Sequence, residues 1–568
     1  MKRFFFLFIF SLLLVSCARV GSPVGGLKDS IAPKMVGSNI DSPNINVSQN
    51  LKELRIDFDE YITLNQVQKN LIISPPIKKI KKILPTSLAN KYVLIQWEDT
   101  LQANTTYNFN FGNSIKDNNE GNVLPYYNFA FSTGEKIDDL YISGDIKKRL
   151  TTTSQNAVSS SSSTAKNLVV GLYKESDTIK FNEKPYYITV ADPDGYFELN
   201  YLSPGNYRLL AFEDVNENSI FDTGTESVGF LKDSVSLHQS ISNLNIDLFP
   251  SKIPFKYLET KENPGGALML FQGNPDKADV LSLNENLKNY KITHKPKSDS
   301  VFIWFDAKTD NLGIDKSEQL KFSYDTGIKQ DTVSLFYRMN QKNEMQLSNS
   351  KGNLLAPKSS FEITSNYVVD QIETTNWTLV SDSISQPFTA KISENNPFKI
   401  SIDSEFLEGK KYSLTVAKES VLSYFDKNLK AYRFDFEADK TENYGNITLK
   451  LSNIPKEKFW VQLLDSKGSV MYSQFVQKAE VRFDVVKPET YSARILVDNN
   501  GNGFWDSSDF ATGIFAEEVY DFEKKITARP LWDVVEPWDL KAKKNLPTTT
   551  TKPQETSTVP EKSEISKE

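Results

Sequence analysis

The strongest constraint on the fold is a short-range alternation of apolar and polar residues that recurs along most of the chain. Runs such as LRIDFDEYI (54–62), YVLIQW (92–97) and TYNFNFG (106–112) are separated by turns rich in Asn, Asp, Gly and Pro. Successive side chains of a strand point to opposite faces of its sheet, so each run has one apolar face. The pattern predicts antiparallel β-sandwiches and an all-β protein. Aromatic residues, 12% of the chain, favour the same class.

The first residues, MKRFFFLFIFSLLLVSC, have the features of an export signal. Two basic residues precede an apolar run that is too short to span a bilayer, which takes roughly 20 residues. The order LVSC at 14–17 resembles the lipobox of bacterial lipoproteins, in which the signal is cut before the cysteine and the cysteine is acylated. The resemblance implies that residues 1–16 are removed, that Cys17 carries a covalent lipid, and that residues 17–31 form a linker.

The anchor decides where the protein is expected to act. Cys17 is the only cysteine in 568 residues, so an intramolecular disulfide is excluded. Acyl chains on Cys17 would hold the protein on a membrane without a transmembrane helix. Because Ala18 rather than Asp follows the cysteine, the lipoprotein resemblance favours the outer membrane. Whether the protein faces the periplasm or the cell exterior stays open.

The net charge of the chain limits the kinds of partner that it is expected to bind. A formal net charge of −7 with pI ≈ 5.4 argues against nucleic acid, whose binding needs clustered Lys and Arg. Other envelope proteins or a polysaccharide are the expected partners besides the membrane.

Two kinds of sandwich are indicated in the first half of the chain. In residues 32–134, the segments APKMVGSNIDSP, LRIDFDEYI, LQANTTYNFNFGNSIKDNNEGN and FAFSTG resemble the SbsA-type bacterial Ig-like domain of surface and envelope lipoproteins. In residues 138–250, the order turn, strand, Pro-Gly turn, strand in DPDGYFELNYLSPGNYRL resembles the carboxypeptidase regulatory-like, or transthyretin-like, β-sandwich. The resemblances imply tandem Ig-like and transthyretin-like sandwiches.

The second half repeats the first. A shift of 284 residues aligns Tyr207 with Tyr491, and continues without a gap as far as Gly229 and Gly513. Upstream, FLEGKKYSLTV and YRFDFEAD echo TLQANTTYNFNF and YNFAFSTG. We therefore expect a second Ig-like domain at 351–440 and a second transthyretin-like sandwich at 443–540, with a β-rich domain at 251–350 between the copies. Residues 541–568 hold almost no apolar side chain and are expected to be disordered.

One aligned pair of segments has the spacing of a calcium loop. Calcium takes roughly six to eight oxygen ligands, which a loop of the EF-hand type supplies from positions 1, 3, 5, 7 (a backbone carbonyl), 9 and 12. In DNNGNGFWD and its continuation, the turn position is Gly503. The candidate ligands of this second copy are Asp498, Asn500, Asn502, the carbonyl of Phe504, Asp506 and Asp509.

The first copy, DVNENSIFD, matches less completely. Ser219 stands at the turn position and Thr225 at the twelfth, although Glu226 could substitute if the loop bends. Its candidate ligands are Asp214, Asn216, Asn218, the carbonyl of Ile220 and Asp222. The alternative is that Asn, Asp and Gly simply form a tight turn. If only one copy binds calcium, the spacing favours residues 498–509.

Catalysis is not expected. The two histidines, His238 and His294, lie on different predicted domains, and neither has the context of a catalytic triad or a zinc site. The visible carboxylate pair, Asp59 and Glu60, would point to opposite faces of a strand.

The expected function is therefore a non-catalytic envelope lipoprotein that acts as a structural or interaction scaffold, stiffened by calcium. A glycan- or peptide-binding lipoprotein is the alternative: exposed aromatics clustered on one sheet face would favour it, and burial of Trp505, Trp532 and Trp538 would weaken it. A carboxylate-dependent hydrolase is the third interpretation.

Overall fold

The computed structural model describes residues 29–153, 157–159, 167–176, 179–340, 342–349 and 351–540. The predicted signal, Cys17 and the predicted tail lie outside the described residues. Within them the regular secondary structure is almost entirely β-strand, so the all-β prediction is confirmed. The helical segments there are short: α1 (Val67–Asn70) and the 3₁₀ turns Thr374–Asn376, Thr441–Asn443 and Phe510–Thr512.

Sandwich 1 packs two sheets around one apolar core. Its strands are β1 (Met35–Ser38), β2 (Glu53–Leu64), β3 (Ile72–Ser74), β4 (Ile80–Leu84), β5 (Asn90–Trp97), β6 (Thr106–Gly112), β7 (Ile115–Asp117) and β8 (Tyr127–Ser132). One sheet has the order β1-β2-β5-β4 with β7 beside β2, and the other has the order β3-β6-β8. The predicted alternation is realised in β6, where Phe109 and Phe111 are fully buried in the core.

Sandwich 2 is built around a parallel pair of strands. Its strands are β9 (Leu140–Lys148), β10 (Thr151–Thr153), β11 (Ala157–Ser159), β12 (Leu168–Lys174), β13 (Tyr187–Val190), β14 (Tyr196–Leu202), β15 (Gly205–Glu213), β16 (Ser227–Phe230), β17 (Val235–Leu237) and β18 (Ile241–Pro250). The central path is β13-β12-β15-β16-β18-β9-β14, with β9 parallel to β18 and β17 beside β15. Strands β10 and β11 form a separate hairpin.

Sandwiches 3 and 4 follow. Sandwich 3 contains β19 (Lys256–Asn263), β20 (Gly266–Gln272), β21 (Asp279–Ser282), β22 (Tyr290–His294), β23 (Ser300–Phe305), β24 (Glu318–Asp325) and β25 (Gln330–Tyr337). Sandwich 4 contains β26 (Leu347–Ser348), β27 (Leu354–Leu355), β28 (Phe361–Ser365), β29 (Gln371–Ile372), β30 (Thr378–Ser381), β31 (Ile384–Ser385), β32 (Thr389–Ser393), β33 (Asn396–Asp403), β34 (Lys411–Val416), β35 (Val421–Leu422) and β36 (Tyr432–Ala438). The order β26-β28-β33-β32 in sandwich 4 repeats β1-β2-β5-β4 of sandwich 1.

Sandwich 5 repeats the topology of sandwich 2. Its strands are β37 (Gly445–Ser452), β38 (Phe459–Leu464), β39 (Val470–Val476), β40 (Glu480–Val486), β41 (Thr490–Val497), β42 (Val519–Asp521), β43 (Ile526–Thr527) and β44 (Asp533–Asp539). The sheets β40-β37-β44 and β39-β38-β41-β42 correspond to β14-β9-β18 and β13-β12-β15-β16. As in sandwich 2, the first and last strands of the unit, β37 and β44, run parallel.

Buried tyrosines occupy matching positions in the repeated sandwiches. The hydroxyl of Tyr207 donates to the carbonyl of Ser203 at 2.8 Å, and that of Tyr491 donates to the carbonyl of Lys487 at 3.0 Å. Both rings lie in the cores. The tyrosines therefore tie the Pro-Gly and Pro-Glu turns to the central strands in the two copies, in agreement with the 284-residue shift at these positions.

Candidate functional site

Two equivalent loops carry the residues that the sequence singles out as calcium ligands. Loop A, residues 214–226, connects β15 to β16, and loop B, residues 498–517, connects β41 to β42. Each loop begins at the residue after a central strand ends. The loops can therefore be compared position by position.

The first aspartate of each loop folds the backbone around its own carboxylate. In loop B, Asp498 is 2% exposed, and its Oδ1 and Oδ2 accept from the N–H groups of Asn502 at 3.0 Å and Gly503 at 2.7 Å. In loop A, Asp214 accepts from the N–H groups four and five residues later, at 3.0 Å and 2.8 Å. This carboxylate therefore determines the shape of each loop.

The tight turn needs left-handed backbone at two positions. Loop B has glycine at both, Gly501 (φ 75°) and Gly503 (φ 83°), as expected for the latter from the sequence. Loop A has Glu217 (φ 62°) and Ser219 (φ 61°) in their place. Because a side chain disfavours this region, loop A forms the same turn under more backbone strain.

The asparagines and the second aspartate meet, as the predicted ligand spacing requires. In loop B, the amide nitrogens of Asn500 and Asn502 both donate to Oδ2 of Asp506 at 2.6 Å. The loop A counterparts make the same contacts, from Asn216 and Asn218 to Asp222, at 2.5 Å and 3.0 Å. Five of the six candidate positions of loop B thus lie in one turn.

The seventh positions take part through their N–H groups. Phe504 donates to the amide oxygen of Asn502 at 2.8 Å, and Ile220 donates to that of Asn218 at 2.6 Å. The amide oxygens are therefore held by the backbone, while the amide nitrogens face the aspartate. A cation at this point requires the amides to turn their oxygens inward.

A glutamate that the spacing did not identify in loop B closes each loop. In loop A, Glu226 is 2% exposed and accepts from the N–H groups of Val215 at 2.9 Å and Asp222 at 2.8 Å. In loop B, Glu517 accepts from the N–H groups of Asn499 at 2.8 Å and Asp506 at 2.8 Å. The closing carboxylate in loop A is Glu226, the substitute that the sequence allowed for Thr225.

Asp509, the expected closing ligand of loop B, lies outside the turn. Its carboxylate accepts from Lys252 Nζ at 3.1 Å and from the N–H of Thr512. The ungapped alignment is wrong here, because Glu226 and Glu517 differ by 291 positions and not by 284, so loop B carries seven additional residues (291 − 284). The pairing of Gly229 with Gly513 fails for the same reason, since Gly513 lies within the insertion.

A lysine from sandwich 3 makes the loops differ electrostatically. Lys297 Nζ lies 3.0 Å from Oδ1 of Asp506 and 4.7 Å from the ring centroid of Phe504. Burial alone would raise the pKa of Asp506, but hydrogen bonds from Asn500, Lys297 and Asn502 outweigh it and hold that pKa below its usual range. The positive charge of Lys297 thus already offsets part of the negative charge of loop B. The preference for residues 498–509 stays a prediction from the spacing, and this contact with Lys297 opposes it.

The residue types in the two loops suit calcium, but their arrangement in the structure does not. Asp, Glu and Asn supply the oxygen ligands that calcium prefers. Yet in the described part of the chain, no group of three or more His, Cys, Asp or Glu side chains is arranged to hold a metal ion. The carboxylates instead accept hydrogen bonds from backbone and amide groups, as in a turn stabilised by its own side chains.

Glu226 predicts an unusual pH dependence for sandwich 2. Burial raises the pKa of Glu226 to about 7, opposed by the N–H groups of Asp222 and Val215 and assisted by the Asp214 carboxylate. Since the unfolded state has the lower pKa, the folded state binds more protons. We expect sandwich 2 to gain about 2 kcal/mol of unfolding free energy as the pH falls from above 7 towards 5.

Hydrogen exchange of strands β12 and β15 in the full chain, corrected for the intrinsic exchange rate at each pH, measures this change. Glu226→Gln, which does not titrate, is expected to abolish the trend. An equal trend in both proteins would contradict the assignment to Glu226.

A third carboxylate-centred turn was missed by the sequence interpretation. Asp117, 1% exposed in β7, accepts from four backbone N–H groups, three on Oδ1 and one on Oδ2. The donors are Asn119 (2.8 Å), Glu120 (2.6 Å), Gly121 (2.9 Å) and Asn122 (2.7 Å). Burial alone would raise the pKa of Asp117, but these bonds lower it. The run DNNEGN was a visible signal for this turn.

The residues considered for catalysis are dispersed. His238 follows β17 in sandwich 2, and His294 ends β22 in sandwich 3. Asp59 accepts a hydrogen bond from the N–H of Lys34 at 2.9 Å. The pKa of Glu60 is raised, mainly by burial and then by the negative charge of Asp117.

A polar cavity of about 100 Å³ lies beside loop A, and its lining includes Lys148, Glu213 and Ser251. It is small compared with ligand pockets, which have volumes of roughly 300 Å³ or more.

The three tryptophans whose burial would weaken the glycan-binding alternative differ in exposure. Trp538 is 7% exposed, and Trp505 donates its Nε1–H to the carbonyl of Glu517 at 3.0 Å. Trp532 is 56% exposed but lies under Arg529, whose guanidinium is 4.9 Å from the ring centroid. Further exposed aromatics are spread along the chain: Tyr61 and Tyr126 on sandwich 1, Tyr141 and Tyr196 on sandwich 2, Phe336 on sandwich 3, and Phe504 and Phe515 in loop B.

Comparison with known structures returns matches at low similarity. The surface layer protein SbsC, domains 1–6, is 9% identical over 88% of this chain and 67% of its own, with a TM-score of 0.14. The major pilin subunit BcpA of Bacillus cereus is 9% identical over 71% of this chain and 99% of its own, with a TM-score of 0.13. The glucan-utilisation protein SGBP-B of Bacteroides ovatus, solved with a mixed-linkage heptasaccharide, is 10% identical over 70% and 96%, with a TM-score of 0.19.

The sequence comparison identifies one domain. None of the curated protein sequences matches the chain. A family described as "Bacterial Ig-like domain" (Big_5) matches residues 29–133, the segment that forms sandwich 1. This confirms the Ig-like prediction for that segment. The chain therefore contains a bacterial Ig-like domain, followed by further β-sandwiches.

Proposed function

We propose that the protein is a non-catalytic scaffold of the cell envelope, held on the outer membrane by acyl chains on Cys17. The observation that carries the proposal is how the buried polar groups are used. Asp117, Glu226 and Glu517, the carboxylates that most resemble site residues, accept backbone N–H groups and so rigidify turns. Because these carboxylates are occupied in holding turns, their arrangement supports a protein that positions other molecules rather than one that catalyses a reaction.

The connections between sandwiches support the same proposal. Residues 251–255 join sandwich 2 to sandwich 3, and residues 439–444 join sandwich 4 to sandwich 5. Such short connections restrict the relative movement of neighbouring domains. The part of the chain that the structure describes holds no helix with the length and hydrophobicity of a membrane span. The proposed lipid on Cys17 rests on the resemblance of LVSC at 14–17 to a lipobox.

The anchor and the scaffold role are tested together in intact cells. We expect the wild-type chain to fractionate with the outer membrane, to carry acyl groups on Cys17 by mass spectrometry, and to crosslink to envelope proteins or polysaccharide. Cys17→Ser is expected to move the protein to the soluble fraction and to remove these crosslinks. Retention of Cys17→Ser in the membrane fraction, or hydrolase activity in the purified protein, would refute the proposal.

Calcium binding at loop A is proposed as the second element. Asp214, Asp222 and Glu226 would be its carboxylate ligands; since they are not arranged around a cation in the structure, binding would require them to move together and the amide oxygens of Asn216 and Asn218 to turn inward. An affinity of about 0.1–1 mM, as for extracellular modules, would stabilise the domain by about 0.6–1.8 kcal/mol at ~2 mM calcium. Loop B would bind more weakly, because Lys297 already contacts Asp506.

Thermal unfolding of the full chain with calcium and with chelator tests this order. We expect calcium to raise the melting temperature of the wild type and of Asp506→Asn, but not of Asp222→Asn. Lys297→Met should add a calcium response at loop B. The same melting temperature with calcium and with chelator in the wild type would show that both loops are turns without a cation.

A further inference from the structure

The seven additional residues of loop B belong to a segment that packs against another sandwich. This segment, residues 507–516, runs between Asp506 and Glu517 and includes the 3₁₀ turn Phe510–Thr512. Phe510 packs against an apolar cluster of sandwich 2 that contains Leu210 and Val228. Loop A, at the equivalent place in sandwich 2, has no counterpart of this segment.

The contact is built on aromatic rings. The ring of Phe510 lies edge-on to Phe181, Phe230 and Phe221, with centroid distances of 4.6, 5.1 and 6.0 Å. Phe515 stacks on Phe230 at 4.6 Å. Edge-on and offset arrangements at these distances are favourable. Phe181, Phe221 and Phe230 are called the aromatic seat below.

Backbone and charged groups fix the same segment. Ser508 pairs with Ser251 in an isolated parallel bridge, and its carbonyl accepts from the N–H of Lys252 at 2.7 Å. Lys252 Nζ lies 3.1 Å from Asp509 Oδ2. Ser251 and Ser508 are 6% and 2% exposed, so the bridge is shielded from water. The segment is thus held by side-chain and main-chain contacts together.

These contacts join parts of the chain that other contacts already connect in series. Trp304 of sandwich 3 packs on Tyr367 of sandwich 4 with ring centroids 5.8 Å apart. Residues 439–444 lead from sandwich 4 directly into sandwich 5. Lys297 of sandwich 3 reaches Asp506 of sandwich 5. Sandwich 5 therefore returns to sandwich 2, three domains earlier in the chain.

We infer that residues 507–516 are an intramolecular latch that closes sandwiches 2–5 into a ring, with the aromatic seat as its receptor. The latch acts beside two other contacts between sandwiches 2 and 5, Arg149 with Asp521 at 3.8 Å and Phe249 with Trp505 at 6.2 Å between ring centroids. The latch lies within loop B, directly after Asp506, so Lys297, which contacts Asp506, and the rings of Phe510 and Phe515 act on one short stretch of chain. The inference is independent of calcium.

The closed ring is tested first by a disulfide across the bridge. Neighbouring strand residues lie roughly 5 Å apart, which is within the range that a disulfide spans. Ser251→Cys with Ser508→Cys, in the full chain with Cys17→Ser, is expected to form an intramolecular disulfide rapidly, seen as a faster band in non-reducing electrophoresis. Failure to form this disulfide under oxidising conditions would overturn the inference.

A second variant separates the latch from general folding. Phe510→Asp is expected to slow disulfide formation by about tenfold or more, since a charge cannot occupy the apolar seat. In small-angle X-ray scattering, the same variant without the added cysteines should show a larger radius of gyration and maximum dimension.

The matched control is Ile514→Asp in the same segment, because Ile514 is 57% exposed. It should behave as wild type in both measurements. Hydrogen exchange of β38 and β41 should stay unchanged in both variants, which shows that sandwich 5 is folded. Wild-type disulfide rates and dimensions in Phe510→Asp would refute the latch.

Discussion

Replacing Asp117 by alanine is expected to destabilise sandwich 1 by about 3–5 kcal/mol, because four partly buried N–H groups, those of residues 119–122, lose one shared acceptor; a fully buried group left unsatisfied costs about 1–3 kcal/mol, and partial exposure reduces this cost for each. Asp117→Asn keeps one acceptor oxygen and should lose roughly half as much. Since the folded pKa of Asp117 is lowered, its stabilisation is present above the unfolded pKa near 4 and is lost as the pH falls below it.

Hydrogen exchange of β6 and β8 in the full chain measures this effect locally. Glu120→Ala is the control, since Glu120 is exposed and contributes only its backbone N–H. Equal protection in Asp117→Ala and Glu120→Ala would contradict the role assigned to the carboxylate. The other sandwiches should keep wild-type protection in both variants.

Removing the closing carboxylate of loop B is expected to have the next largest effect. Glu517→Ala leaves the N–H groups of Asn499, Asn500 and Asp506 without their acceptor, and should cost sandwich 5 about 2–4 kcal/mol. The cost stays below that of Asp117 because burial, with the nearby charge of Asp506, raises the pKa of Glu517 and makes its ionised form less favourable.

Urea unfolding followed by tryptophan fluorescence reports on this region, since Trp505 donates to the carbonyl of Glu517 and Trp460 donates to that of Gly503. Glu518→Ala, at the exposed neighbouring position, should leave the transition close to wild type. If Glu517→Ala and Glu518→Ala unfold alike, the loop does not depend on this carboxylate. The latch should also weaken in Glu517→Ala, because it lies within loop B.

Local patterns predicted the parts of the site that lie close together in sequence. Asp498, Asn500, Asn502 and Asp506 meet in one turn because their spacing and the freedom of Gly503 act over nine residues. The closing residue predicted for loop B, Asp509, was wrong, because an ungapped alignment cannot reveal the seven-residue insertion between Asp506 and Glu517. Glu226 was recognised as a possible substitute because loop A has no such insertion.

Local sequence patterns could not show that a lysine offsets the negative charge of loop B. Lys297 lies more than 200 positions before Asp506, and nothing in the alternation of its strand region indicates which carboxylate it meets. Its contact with Asp506 depends on how sandwiches 3 and 5 pack. The same reasoning applies to Phe510, whose neighbours in sequence are Asp509 and Ala511 while its neighbours in space are Phe181 and Phe230.

The sequence by itself determined the β-sandwich class, the Ig-like domain at the start, the duplicated tyrosine turns and the existence of two Asp/Asn loops. Each of these follows from alternation, turn chemistry or short spacing, which act between residues close along the chain. Only the tertiary structure decided that Glu226 and Glu517 close the loops, that Lys297 compensates loop B, and that residues 507–516 return to sandwich 2. These contacts depend on how whole domains pack, and side chains that meet there are unrelated by any sequence period.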